Sequence, residues 1–169
     1  HLKRIGLANQ TTMYKKETQA IGKLMEKTMM IKYGPENVKE HFAAFDTICD
    51  ATQVRQDAIQ EMIQDPKVDE LDFILVVGGF DSSNTAHLVE IPHDAGKTVF
   101  HINEGDCIRE DNSVKHRLLN GDVVIENDWL PTDRPLKIGV TSGASTPDAY
   151  VQDALERLVL LKAAISPAA

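Results

Sequence analysis

Apolar residues along the chain form short strand-like runs, and most runs lead into a small polar segment and then a helical pattern. The clearest strand is the continuous apolar run at 73–77, which is typical of a parallel strand buried on both faces. Shorter strand-like runs occupy 4–8, 41–47, 98–102 and 136–140. Strands that alternate with helices predict an α/β fold, with Rossmann-like αβα layers around mostly parallel sheets.

Helical spacing of apolar residues marks a long helix near the start of the chain and another near its end. The first stripe, expected to face the core, comprises Ile21, Leu24, Met25 and Met29. The last comprises Val151, Ala154, Leu155, Leu158 and Val159. Thr12 is predicted to cap the first helix, Asp50 and Gln53 have capping-box spacing before another, and Pro147 is predicted to open the last.

The pattern divides the chain into three stretches. Residues 1–64 are expected to hold the end of one α/β domain together with a strand-loop-helix unit that carries Cys49. Residues 65–140 are expected to form an α/β domain with a serine-rich loop, and 141–169 a second polar loop with the C-terminal helix. The acidic segment 103–133 has poor periodicity and receives no element.

Composition narrows the classes of function. The 169 residues are 42% hydrophobic and 26% charged, which is ordinary for a folded protein. A net charge of −8 opposes attraction to nucleic acids and anionic membranes, so we expect neither as a partner. No apolar run approaches the roughly 18 residues of a membrane span. Cys49 and Cys107 are too few for a disulfide framework and favour a reducing compartment.

Two polar loops are the candidates for ligand binding. Ser82, Ser83 and Asn84 follow one apolar strand, and Ser145 lies in the small polar segment after another. Both loops precede a helix N-terminus, where free N–H groups and the helix dipole favour an anion, so the pair could hold one diphosphate. The alternative is that these residues only cap their helices. No GxxxxGK[ST] or GxGxxG motif is present, so neutral donors are expected to bind the anion.

Cys49 is the candidate metal ligand. It follows a strand-like run and begins a helical pattern, and a helix N-terminus favours the thiolate form that binds metals. The alternative is an inert buried cysteine, which is the more common case. Cys107 is expected to be structural. No zinc-ligand spacing links the histidines considered, which are expected to be surface or packing residues: His41, His87, His93, His101 and His116.

Four segments together carry a resemblance to a known family: NQTT at 9–12, TICDATQVRQDA at 47–58, LVVGGFDSSNT at 75–85 and GVTSGASTPD at 139–148. In this order and approximate spacing they resemble the 4-hydroxy-3-methylbut-2-enyl diphosphate reductase family, along nearly the whole chain. The segments KLMEKTMMIKYG and NDWLP resemble the plastid and cyanobacterial branch of that family.

The resemblance implies an iron-sulfur enzyme of isoprenoid precursor synthesis in the methylerythritol phosphate pathway. Two electrons from ferredoxin or flavodoxin and two protons remove the substrate hydroxyl, which leaves isopentenyl and dimethylallyl diphosphate. A 4Fe-4S cluster held by three cysteines lies at the centre of a three-domain α/β trefoil. By motif, Cys49 is the third cluster ligand and Thr11 lies near the substrate hydroxyl. The diphosphate is bound by Ser82, Ser83, Asn84 and Ser145.

The chain also departs from the family pattern. Asp81 stands where the family usually has Asn, and nothing matches the half that carries the other cysteines, the substrate-facing histidines and a proton-delivering glutamate. We therefore expect a C-terminal half, inactive without the N-terminal half, in the plastid stroma or the cytoplasm of a cyanobacterium-like bacterium. Two alternatives stay open: a non-catalytic diphosphate-binding or assembly module without the cluster, and a Rossmann-like structural domain without a ligand.

Overall fold

The computed structural model describes residues 2–66 and 71–166. The chain divides into two compact units, His1–Gln53 and Val54–Ala169. Within the described ranges, no helix is long and apolar enough to span a bilayer.

The first unit is built on a small parallel sheet. Strand β1 (Ile5–Leu7) pairs in parallel with β2 (Phe42–Ala44). The crossover between them contains α1 (Lys15–Tyr33) and the short α2 (Val38–His41). Helix α3 (Asp50–Gln64) starts in this unit, one residue after Cys49, so the Asp50 expected to cap the helix belongs to its first turn instead.

Helix α1 differs from its predicted form at both its start and its face. It begins after Tyr14, which occupies the N-cap position, so the prediction of Thr12 as the N-cap residue is wrong. Met29 is buried, but Ile21 and Leu24 are 43% and 66% exposed. The sheet of this unit has strands of three residues each, which cover only a narrow stripe of a 19-residue helix.

The second unit contains a parallel sheet in the order β4-β3-β7, formed by β3 (Phe73–Val77), β4 (Val99–Ile102) and β7 (Ile138–Ser142). Helix α4 (Ser83–Asp94) follows β3, and α5 (Asp148–Ile165) follows β7. The sequence pattern placed a boundary at residue 140. Strand β7 crosses that position and pairs with β3, and both strands lie in the second unit.

Alternate residues of β3 pack into two hydrophobic cores, one on each face of the sheet. Leu75 packs in a cluster with Ala154 and Leu158 of α5. Val76 packs on the other face with Leu88 of α4. Helices on both faces of a parallel sheet give the expected αβα layers, and a strand buried on both faces explains the continuous apolar run.

The segment 103–133, which the sequence pattern left without elements, contains a hairpin. Strand β5 (Ser113–Arg117) pairs antiparallel with β6 (Val123–Asn127). Val114 is fully buried and Lys115 is exposed, so the strand does alternate. The strand has only five residues and some of them are charged. The hydrophobic pattern of the sequence therefore does not reveal this alternation.

The last helix follows its predicted pattern with two corrections. It begins at Asp148, with Pro147 in the N-cap position instead of the first helical position. Ala154 and Leu158 are buried as expected, whereas Val159 is 65% exposed. Val159 therefore lies outside the stripe that packs on the sheet.

Asn112, which lies just before the hairpin, is predicted to stabilise the segment that follows the hairpin. Its amide donates to the Leu130 carbonyl at 3.0 Å and accepts from the Leu130 N–H at 3.2 Å, and its φ is 60°. Asn112→Ala leaves both buried Leu130 groups without this partner, which should lower the free energy of unfolding by about 2 to 4 kcal/mol in urea denaturation. Asn120→Ala, in the exposed hairpin turn, should change it by less than about 0.5 kcal/mol. Equal effects of the two substitutions would contradict this role.

Candidate functional site

Two polar loops leave the same edge of the β4-β3-β7 sheet. The register places Val77, the last residue of β3, opposite Ser142, the last residue of β7. The Gly143 N–H donates to the Val77 carbonyl at 3.0 Å, and the Thr146 hydroxyl donates to the same carbonyl at 3.3 Å. The loop before α4 and the loop before α5 therefore lie side by side.

Gly78 and Gly143 allow this close approach. A Cβ at Gly78 would lie 2.6 Å from the Thr85 Oγ1 and 2.8 Å from the Thr146 Oγ1. A Cβ at Gly143 would lie 2.9 Å from the Thr146 Oγ1 and would also collide with the Thr85 hydroxyl. Thr85 is 1% exposed, and its χ1 is stiff because it is β-branched, so it cannot move aside cheaply.

Residues 82–84 differ in their surroundings at the start of α4. Ser82 is the N-cap of α4, and its hydroxyl accepts from the Thr85 N–H at 3.3 Å. Ser83 is exposed. Asn84 is only 4% exposed, and within the described part of the chain neither its Nδ2 nor its Oδ1 has a hydrogen-bond partner. Capping therefore explains Ser82 but leaves the burial of the Asn84 amide unexplained.

Both loops also present free backbone donors. The N–H groups of Gly79, Asp81, Ala144 and Ser145 have no hydrogen-bond partner among residues 2–66 and 71–166. Ser145 is exposed, and its role in binding stays a prediction. Free N–H groups beside two helix N-termini form an arrangement that suits a phosphate-like anion.

His101 of β4 contacts the loop between β3 and α4. Its Nε2 donates to the Gly78 carbonyl at 2.9 Å, and its ring meets the Phe80 ring edge-on at 5.1 Å. Burial lowers the pKa of His101 below its usual value, so at neutral pH the imidazole is uncharged and the Nε2–H is the donor. Sequence spacing predicts only a surface or packing role for His101, because the pairing of β4 with β3 is what brings it next to the loop.

Thr11 and Cys49 contact each other in the first unit through a backbone hydrogen bond. The Cys49 N–H donates to the Thr11 carbonyl at 3.0 Å. The Thr47 hydroxyl accepts from the Asn9 N–H at 2.8 Å and donates to the Asn9 carbonyl at 2.6 Å. These bonds hold the segments 9–12 and 47–50 together at the start of α3.

The two cysteines differ in accessibility. Cys49 is exposed, whereas Cys107 is 3% exposed and its thiol donates to the Asn103 Oδ1 at 2.9 Å. Over residues 2–66 and 71–166 no group of three His, Cys, Asp or Glu side chains could hold a metal ion. Of the two thiols, Cys49 is therefore the one accessible from solvent.

The second unit has αβα layers with two adjoining loops suited to an anion, and the first unit presents an exposed thiol one residue before a helix, so the protein is of the α/β class. A sequence profile described as LytB protein matches residues 1–159. The chain belongs to the LytB protein family.

Similar proteins extend this assignment. The chain is 53% identical over 163 residues to a 4-hydroxy-3-methylbut-2-enyl diphosphate reductase of Acaryochloris marina, which covers 96% of this chain and 38% of that protein. It is 56% identical over 158 residues to a chloroplastic reductase of that name from Botryococcus braunii, covering 92% of this chain and 31% of that protein. The chain thus spans less than two fifths of the length of these relatives.

Solved structures support the fold. A structure of (E)-4-hydroxy-3-methyl-but-2-enyl diphosphate reductase matches 94% of this chain and 44% of its own, with a TM-score of 0.51 and 22% identity. The structure of a Plasmodium falciparum reductase, named for the 1-hydroxy-2-methyl-but-2-enyl-4-diphosphate, matches 92% of this chain and 39% of its own, with a TM-score of 0.54 and 22% identity. At this identity the two comparisons establish the fold alone.

The loop packing yields a matched test with glycine substitutions. Gly143→Ala should lower the free energy of unfolding by about 1 to 3 kcal/mol, because the new Cβ meets the buried Thr85. Gly79→Ala is the control, since a Cβ there meets only the Ser82 Cβ at 4.0 Å, and its effect should stay under about 0.5 kcal/mol. Thermal or urea unfolding measures both, and equal stabilities of the two variants would show that the loops are not tightly packed.

Proposed function

We propose that the chain is the C-terminal part of an iron-sulfur reductase that converts 4-hydroxy-3-methylbut-2-enyl diphosphate to isopentenyl and dimethylallyl diphosphate. Family membership and the names of the relatives support the activity. The buried Asn84 amide without a protein partner is the observation that carries the diphosphate site. The C–O bond of the substrate hydroxyl breaks, and two electrons and two protons release the oxygen as water.

Asn84 is explained by a bound diphosphate. A buried polar group without a partner costs about 1 to 3 kcal/mol, and an oxygen of the diphosphate can accept from the Asn84 Nδ2. The Ser83 and Ser145 hydroxyls and the free loop N–H groups supply further donors. Residues 78–84 and 142–148 contain no Lys or Arg, so these donors are neutral. Asp81 is exposed, so the high dielectric of water weakens the repulsion between its carboxylate and the anion.

Cys49 is proposed as the ligand that this chain gives to a 4Fe-4S cluster, with the remaining ligands from an N-terminal half. When bound, such a cluster would supply the electrons of the reduction. The exposed Thr11 would orient the substrate hydroxyl through its own hydroxyl group. Ferredoxin or flavodoxin is proposed as the electron donor. Cyanobacterial and chloroplastic relatives favour the plastid stroma or a cyanobacterial cytoplasm as the location.

A second candidate is a diphosphate-binding or assembly module that holds no cluster. It is favoured by the single exposed thiol, because one thiolate cannot hold an iron-sulfur cubane. The two candidates share the diphosphate site and differ in iron content.

The diphosphate site is tested in the complete protein, meaning this chain together with the N-terminal half. Asn84→Ala and Ser83→Ala each remove a donor, so each should weaken substrate binding by about tenfold or more, seen in the Michaelis constant. Asn120→Ala, in the hairpin turn, is the matched control and should behave like the wild type. Unchanged kcat and KM in both loop variants would refute the assignment.

The cluster ligand is tested by anaerobic reconstitution, with iron counting and visible absorption as readouts. The 169-residue chain alone should hold no stable cluster, and addition of the N-terminal half should restore it. In the complete protein Cys49→Ser should abolish the cluster, and Cys107→Ser should leave it nearly unchanged. Stoichiometric iron on the short chain, or a cluster retained in Cys49→Ser, would contradict the proposal.

A further inference from the structure

Two carbonyls of the loop between β3 and α4 are held by side chains from neighbouring strands. His101 of β4 donates to the Gly78 carbonyl at 2.9 Å. Arg117, the last residue of β5, donates through Nη1 to the Phe80 carbonyl and through Nε to the Gly121 carbonyl at 3.2 Å. Both anchors contact main-chain oxygens, so they act on the direction of the peptide groups themselves.

These anchors determine where the next N–H groups point. In a planar trans peptide the carbonyl and the N–H of the following residue point in opposite directions. The N–H groups of Gly79 and Asp81 therefore point away from the two anchoring side chains. Both residues are exposed, and neither N–H has a partner within the described ranges. N–H groups fixed in this way are suited to meet an anion.

Each anchor is itself held in place. His101 is 3% exposed and packs against the Phe80 ring. Arg117 lies opposite Val123 in the hairpin, and its contact with Gly121 ties the guanidinium to the hairpin turn. Arg117 also brings a positive charge into contact with a loop that contains no Lys or Arg of its own. The hairpin thus contacts the loop between β3 and α4 through the charged side chain of Arg117.

We propose that His101 and Arg117 are positioning residues for the diphosphate, because they turn the Gly79 and Asp81 N–H groups toward the anion. This inference rests on the proposed diphosphate site. It assigns the β5–β6 hairpin a role in binding, although no hairpin residue needs to touch the ligand.

The test measures binding of inorganic diphosphate to the complete protein by calorimetry, together with kcat, KM and the melting temperature. His101→Leu and Arg117→Leu should each raise the Kd and the KM by about tenfold, with kcat at saturating substrate within about twofold. His101→Gln keeps a donor at the Nε2 position and should retain binding within about 1.5-fold of the wild type. Arg109→Leu removes an exposed arginine and is the matched control.

The outcomes separate this inference from the proposed function. If both leucine variants melt earlier but bind diphosphate as tightly as the wild type, the anchors are only structural and the inference is overturned. If they do not fold, Arg117→Lys decides, since it keeps the charge but loses the forked contact, and it should raise the Kd by about threefold. A wild-type Kd in Arg117→Lys would overturn the inference. If Asn84→Ala also leaves binding unchanged, or the wild type binds no diphosphate, the proposed function itself fails.

Discussion

The parallel pairing of β3 with β7 decides where both polar loops lie. Since the two strands end opposite each other, their loops leave the sheet at one edge, and Gly78 and Gly143 let the loops close on the buried Thr85. The helices that follow start from this edge, so their N-termini lie beside the same loops. A change in this register would separate the two loops, and with them the serines, the asparagine and the free N–H groups that they carry.

The edge formed in this way leaves polar groups that the protein itself does not pair. Asn84 is buried without a partner within the described residues, whereas Ser82 is used as a cap. Such a group lowers stability in the free protein, and a ligand that accepts its hydrogen bond recovers that loss. A site of this kind favours a ligand rich in acceptor oxygens. Neither loop contains Lys or Arg, so the donors that the loops themselves supply are neutral.

Sequence patterns predicted β3, α5 and the two loops, because apolar runs and helical spacing reflect burial directly. The β5–β6 hairpin was not predicted, because buried and exposed positions of β5 alternate only over 114–117 and two of those residues, Lys115 and Arg117, are charged. In the site, the sequence left capping and ligand binding open for residues 82–84, and the structure assigns capping to Ser82 alone among these three. His101 could not be predicted, because its contact with the loop depends on the pairing of β4 with β3.

The most direct test of the central claim is a crystal structure of the complete protein with the proposed diphosphate substrate bound. The distances from the phosphate oxygens to the loop donors are the measurement. We predict that an oxygen lies about 2.7 to 3.2 Å from the Asn84 Nδ2, and that others lie at similar distances from the free N–H groups of the two loops. A diphosphate bound elsewhere, with the Asn84 amide paired inside the protein, would contradict the account.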